Sequence, residues 1–428
     1  MFRLEVYFCE KLFKTILNKI FNKMKKFALS LIVIAGLFTS CDSDDDAAVN
    51  QVVAPPTYEF QRNGQTSISF SGQTTRIRMA EEIIDALKDP SFTEAQIDGM
   101  YTNTGDNFSD PALNAETSKV VRTKTAASFD FFGGSANLSN VADFDGWIAE
   151  QVTDVYPAWA NAASAGNPGF IQEGVAQDGS TRYVNGKGLE LNQAFNKSLI
   201  GALMVDQMLN NYISEGFLSS TTEAHDNDIL VEGKNYTDME HDWDEAYGYL
   251  FGTASSVPTP LVDIGEGLGG SDSFLNKYLD RVNDDPDFNG IAQDIYDALK
   301  LGRAAIVEKN YEVRNEQAEI IREKVSQVIG VRAVYYLQSA KNAFQNGDNG
   351  SGFHDLSEGY GFIYSLQFTR EPNSNSAYFS KNEVDTFLAD LLEGNGFWDI
   401  ANDTTILDTI SDAIATRFGS FTVAQAAP

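Results

Sequence analysis

The chain has 428 residues, 43% of them hydrophobic and 21% charged, with a formal charge of −30. That much apolar sequence supports a large packed core and excludes a disordered body. The acidity excludes nucleic acid as a partner, because the chain and a phosphate backbone repel each other, and leaves cations as the better-matched ions.

Met24-Lys25-Lys26 opens a basic stretch, Phe27 to Phe38 is an apolar run, and Thr39-Ser40-Cys41 closes it. This is the order of a secretory signal, and the run is too short to stay in a bilayer as a spanning helix. The small residues before Cys41 resemble a bacterial lipobox, with Phe38 where Leu is usual. The resemblance implies a signal peptide over 24–40, cleavage before Cys41, and a lipid on that cysteine that makes the membrane a partner. Residues 1–23 read as an upstream extension, since Met24 begins a complete signal. The only other cysteine is Cys9, so the exported body has neither a disulfide nor a thiolate metal site.

Residues 41–56 read as an acidic tether, from Asp42-Ser43-Asp44-Asp45-Asp46 to Pro55-Pro56. A solvated linker explains the acids. Acidic runs at this place also resemble surface-export signals of Gram-negative lipoproteins, which implies the outer membrane, extending to the cell surface.

Tyr58–Arg62 and Thr66–Phe70 predict two short strands, with Asn63-Gly64 as the hairpin turn. Ile77, Ala80, Ile84 and Leu87 recur at helical spacing. The rest of the region 57–185 reads as short helices and long loops, with a boundary at Pro157-Ala158-Trp159-Ala160. From Leu189 the apolar stripes lengthen. Leu191, Phe195, Leu199, Ala202, Val205 and Leu209 form one, and Ile321, Val325, Val328, Val331, Val334 and Leu337 form another. The expected fold is mostly α, an internally duplicated helical bundle with a small N-terminal β-hairpin and long loops.

The duplication rests on His241–Tyr249, HDWDEAYGY, and His354–Phe362, HDLSEGYGF, 113 positions apart. The same offset pairs Phe274-Leu275 with Phe387-Leu388, each expected to open a helix. Leu199-Ile200-Gly201 parallels Val328-Ile329-Gly330 at a longer offset. The two repeats are assigned to 186–300 and 301–428.

Within a helix, His and Glu four residues apart share a face. His241, Glu245, His354 and Glu358 would then offer two imidazoles and two carboxylates to one divalent metal, iron or zinc. Two other readings stay open. Asp-x-x-Glu is also a capping-box pattern, which would start the second helix at Asp355, whereas Thr237-Asp238-Met239-Glu240 offers an earlier cap for the first. Alternatively, the histidines are core residues hydrogen-bonded to Tyr or Asp. The Tyr-Gly-aromatic tail reads as close helix packing.

Tyr58–Gly64, Gly188–Gln193 and the HDLSEGYGF segment resemble an uncharacterised lipoprotein family, domain of unknown function 4856. The resemblance covers most of the body and implies architecture without an activity. A second resemblance is to imelysin-like envelope proteins, duplicated helical bundles linked to iron uptake, whose motif is Gly-x-His-x-x-Glu. Gly352-Phe353-His354 matches that motif, and Glu358 falls one residue later than it requires.

Gly265–Gly270 has GxGxxG spacing, but no strand–helix–strand unit surrounds it and Glu266 would oppose a phosphate. Asp285–Gly290 resembles half a calcium loop, with Tyr296 where the closing Glu belongs. His225 lies among polar residues and is expected to be exposed. There is no GxSxG, HExxH or P-loop.

The expected function is a non-catalytic cell-envelope lipoprotein that binds a ligand or an envelope protein, with a metal ion in iron or nutrient acquisition as one ligand. A structural or adhesive surface lipoprotein without a metal site is the alternative, and an envelope hydrolase is the least supported.

Overall fold

Helices make up most of the computed structural model, which describes residues 52–134 and 138–428. The expected signal, Cys41 and most of the acidic tether lie outside the described residues.

The predicted hairpin forms, but it is short: Gln61–Arg62 (β1) pairs antiparallel with Gln65–Thr66 (β2). Asn63 and Gly64 have φ of 54° and 76°, the left-handed pair that a two-residue hairpin turn needs. One further hydrogen bond, from the Ser67 N–H to the Phe60 carbonyl at 2.9 Å, continues the pairing, and beyond it the core claims the chain. The Tyr58 hydroxyl donates to Asp244 at 2.7 Å, and the Ser69 N–H donates to the same carboxylate at 3.3 Å. A second antiparallel hairpin, Gly169–Gln172 (β3) with Thr181–Val184 (β4), lies in the region expected to be loops.

Helix α1 spans Ser71–Ala86 and buries Ile77, Ala80 and Ile84, with Leu87 at its C-cap. Helix α2, Leu138–Glu150, runs on into a wide π-type turn and a 3-10 turn that reach Ala158, near the predicted boundary. Helix α3, Leu191–Leu199, also widens into a π-helical continuation, Ile200–Tyr212. Every residue of its predicted stripe is buried.

The remaining principal helices are α4 (Asp238–Phe251), α5 (Leu275–Asn283), α6 (Ile291–Val307), α7 (Tyr311–Gln345), α8 (Asn349–Ser365), α9 (Lys381–Leu391) and α10 (Thr405–Phe418). The 35-residue α7 is central, packing against α6, α8 and α10, while α8 also packs on α3. The predicted α7 stripe is wholly buried. Phe274 is the N-cap of α5, as its expected opening role requires, whereas Phe387 lies inside α9, whose start is fixed instead by the capping residue Ser380.

Val52–Pro428 forms one unit, with an apolar core that draws on all three body segments. No described helix is long and apolar enough to cross a membrane.

Candidate functional site

Both HDxxE motifs lie inside helices, and neither starts one. α4 begins after Thr237, which forms a capping box with Glu240, and α8 begins after Asp348, whose carboxylate accepts from the Ser351 N–H. Asp242 and Asp355 are therefore not N-caps, because stronger capping residues lie upstream of each.

The helical spacing does bring each His to its Glu. His241 Nε2 lies 3.7 Å from Glu245, and His354 Nε2 lies 3.9 Å from Glu358. The four side chains do not gather into one set. Among the described residues, no group of three or more His, Cys, Asp or Glu is placed to hold a metal ion. Each copy offers an ion one imidazole and one carboxylate.

The other ring nitrogen of each histidine is engaged with a distant part of the chain. His241 Nδ1 donates to the Ser69 carbonyl at 2.8 Å, and its ring stacks on Tyr236. His354 Nδ1 donates to the Glu190 carboxylate at 2.8 Å. Ser69 lies two residues before α1, and Glu190 is the residue before α3.

The equivalence extends further along the motif. Three residues after each His, a side chain accepts from the backbone N–H of that same partner: Asp244 from Ser69 at 3.3 Å, and Ser357 from Glu190 at 2.9 Å. Seven residues after each His stands a glycine. A Cβ on Gly248 would come within 2.5 Å of Phe70 Cβ, and one on Gly361 within 2.4 Å of Lys197 Cβ. The expected close packing at these glycines is present. Both motifs thus hold the chain entering another helix through an imidazole and a polar +3 side chain, and each packs a +7 glycine on the segment that follows, at Phe70 just before α1 and at Lys197 within α3.

The surroundings of the two glutamates differ. Glu245 accepts from the Gln73 amide at 2.7 Å. Glu358 meets the buried Lys197 ammonium at 3.3 Å and the Tyr278 hydroxyl at 3.4 Å. Burial pushes the Glu358 carboxyl up, but Lys197 and His354, with smaller help from Tyr336 and Lys277, outweigh it and hold it at about 2. For His354, burial disfavours the charge, yet Glu190 and then Glu358 prevail and raise its pKa. The motif aspartates are held high. Burial, reinforced by Glu245, lifts Asp242 to about 8. Burial lifts Asp355 to about 6 against a hydrogen bond from Ser339.

Beneath the first motif lies a buried ionic network that sequence spacing did not reveal. The fully buried Arg303 donates to Asp244 and Glu240, both at 3.1 Å, and Arg62 closes on Glu240 at 2.8 Å. Next to it, Trp243 Nε1 donates to the Leu299 carbonyl and its ring fills the space left by Gly302. Glu190 was also missed as a partner, although it lies inside the Gly188–Gln193 stretch that carries the family resemblance.

His225 is buried, contrary to its polar sequence neighbourhood. Its Nε2 donates to the Ile306 carbonyl at 2.7 Å, and its Nδ1 faces the Thr237 hydroxyl at 2.6 Å, so it ties the cap of α4 to the end of α6. Burial lowers its pKa. The GxGxxG loop serves the fold: Gly265 and Gly269 donate their N–H groups to Asp280, and Gly267 donates to Asp284. An anion cradle would be filled by the chain's own carboxylates.

A family model described as Domain of unknown function (DUF4856) matches residues 55–422. This supports the first resemblance and leaves the imelysin-like one without support. No curated protein and no solved structure matches the chain.

Proposed function

The chain belongs to the DUF4856 family, and we propose that it is a non-catalytic cell-envelope lipoprotein, anchored through Cys41, that binds a ligand or partner with a rigid helical body. In this reading, the repeated His/Glu motifs are internal fasteners. The observation that carries it is the shared grip: His241 and His354 each spend Nδ1 on the chain ahead of another helix, and Asp244 and Ser357 each hold the backbone of the same partner residue. An imidazole committed in this way is oriented for structure, and a pair of protein donors leaves an ion to water for the rest of its shell. The acidic stretch after Cys41 supports the outer membrane, and the cell surface beyond it, as the address.

Two measurements test the reading. The full chain should fractionate with membranes and Cys41→Ala should be soluble; membrane association that survives the substitution would contradict the anchor. Elemental analysis of the mature body, purified without chelator, should find no stoichiometric iron or zinc. One metal per chain, lost in both His241→Ala and His354→Ala, would replace the fastener reading with a metal site.

A further inference from the structure

Between the N-terminal hairpin and α1 lies an open cleft of about 640 Å³. One wall is apolar: Tyr58, Phe60, Ile68 and Phe70 line it. The opposite wall is one face of α1, running from Ser71 to Arg78. Seven residues of helix separate these two, so the wall is about 10 Å long.

The cleft is held open by the network under the first motif. Tyr58 stacks on Tyr247 with ring centroids 3.7 Å apart and donates to Asp244, which in turn is paired with Arg303. Ser69, in the same lining, receives the hydrogen bond from His241. A ligand entering here meets a preformed wall rather than one it must order, which lowers the cost of binding.

The polar groups of the cleft divide into committed and free. Thr74 donates to the Gly252 carbonyl, Thr75 to the Ser71 carbonyl, and Glu59 accepts from Thr57. Arg78 is exposed, and it has no hydrogen bond or ion pair among the described residues. An unpaired guanidinium at one end of an apolar cleft is complementary to a single carboxylate at one end of an apolar body, a local attraction that acts against the chain's formal charge of −30. A guanidinium can hold a carboxylate through two parallel hydrogen bonds.

We propose that this cleft binds an elongated apolar monocarboxylate, with its carboxylate on Arg78 and its hydrocarbon body along the Ile68–Phe70 wall. This inference rests on the ligand-binding reading above and gives it a site and a ligand class.

Isothermal titration of the mature body with decanoate tests it. The expected result is saturable one-to-one binding, weakened at least tenfold by Arg78→Gln. Decan-1-ol should bind the native protein no better than decanoate binds that variant. Thr75→Trp, which fills the cleft from α1, should abolish binding while circular dichroism and the urea midpoint stay at the native values. The proposal is overturned by no saturable binding of decanoate, by equal affinity in Arg78→Gln, by decan-1-ol matching decanoate, or by full binding in a folded Thr75→Trp. Membrane fractionation is independent of these titrations. A failure here with Cys41-dependent anchoring intact removes the ligand class and site and leaves the envelope reading standing.

Discussion

His354 and Glu190 form an ion pair 2.8 Å long that joins the middle of α8 to the residue preceding α3. The imidazole is mostly buried and Glu190 almost wholly so. A buried, charge-assisted hydrogen bond of this kind stabilises by about 1.5–3 kcal/mol, and losing one partner leaves the other desolvated and unpaired.

The pair makes stability depend on pH in a defined direction. Burial works against the charged ring, but Glu190 and Glu358 raise the His354 pKa above its ordinary 6.5, with a small opposing effect from Arg182. A raised folded-state pKa contributes stability that is complete below about 6.5 and is lost as pH rises through the folded value. Urea unfolding should therefore show a larger gap between the native protein and His354→Gln at pH 6 than at pH 9. An equal gap at both, or a wider one at pH 9, would show that the ring does not carry charge in the folded protein.

The two glycines at the seventh position after each His should be intolerant of even one methyl group. Gly248→Ala forces a Cβ against Phe70, and Gly361→Ala forces one against Lys197 and the backbone of Ser198. Overpacking of this kind costs about 1–3 kcal/mol. Gly146, inside α2 with open space around its Cα, is the control. Gly146→Ala should be neutral or stabilising by about 0.5–1 kcal/mol through helix propensity alone. Thermal or urea unfolding of the three variants checks the ordering, and a harmless Gly361→Ala would mean that α3 and α8 are not in the close contact described.

Arg303 should be among the most sensitive positions of the body. Arg303→Met leaves Asp244 and Glu240 buried with reduced compensation, and removing one member of a buried ion network costs about 3–5 kcal/mol. Neutralising the acids as well, with Glu240→Gln and Asp244→Asn, should recover part of that loss. A single-variant loss below about 1 kcal/mol in urea unfolding would show that the network is hydrated.

Some of this organisation is legible in the sequence for a local reason. Asn63-Gly64 specifies its turn by backbone conformation, and the apolar stripes of α3 and α7 follow helical period. Both are properties of neighbouring residues. The i to i+4 contact of each His with its Glu is likewise local. What spacing cannot supply is the second partner. Ser69 is 172 residues from His241, and Glu190 is 164 from His354. No periodicity links such residues. His225 misleads for a related reason: its sequence neighbours are polar, but the short helix that carries it, Thr222–Asp226, packs at the start of α4 and the end of α6, where Thr237 and Ile306 satisfy its ring. Capping is a competing use of the motif aspartates in sequence because Asp-x-x-Glu fits a helix start. The upstream Thr237 and Asp348 decide against it.

The most direct test of the fastener account is a double-mutant cycle between His354→Ala and Glu190→Gln, read by urea unfolding at pH 6 with and without EDTA. The account predicts a coupling of about 1–3 kcal/mol that is the same with and without chelator. Absence of coupling, together with a stability that falls when EDTA is added, would contradict it and point to a bound metal as what holds these helices together.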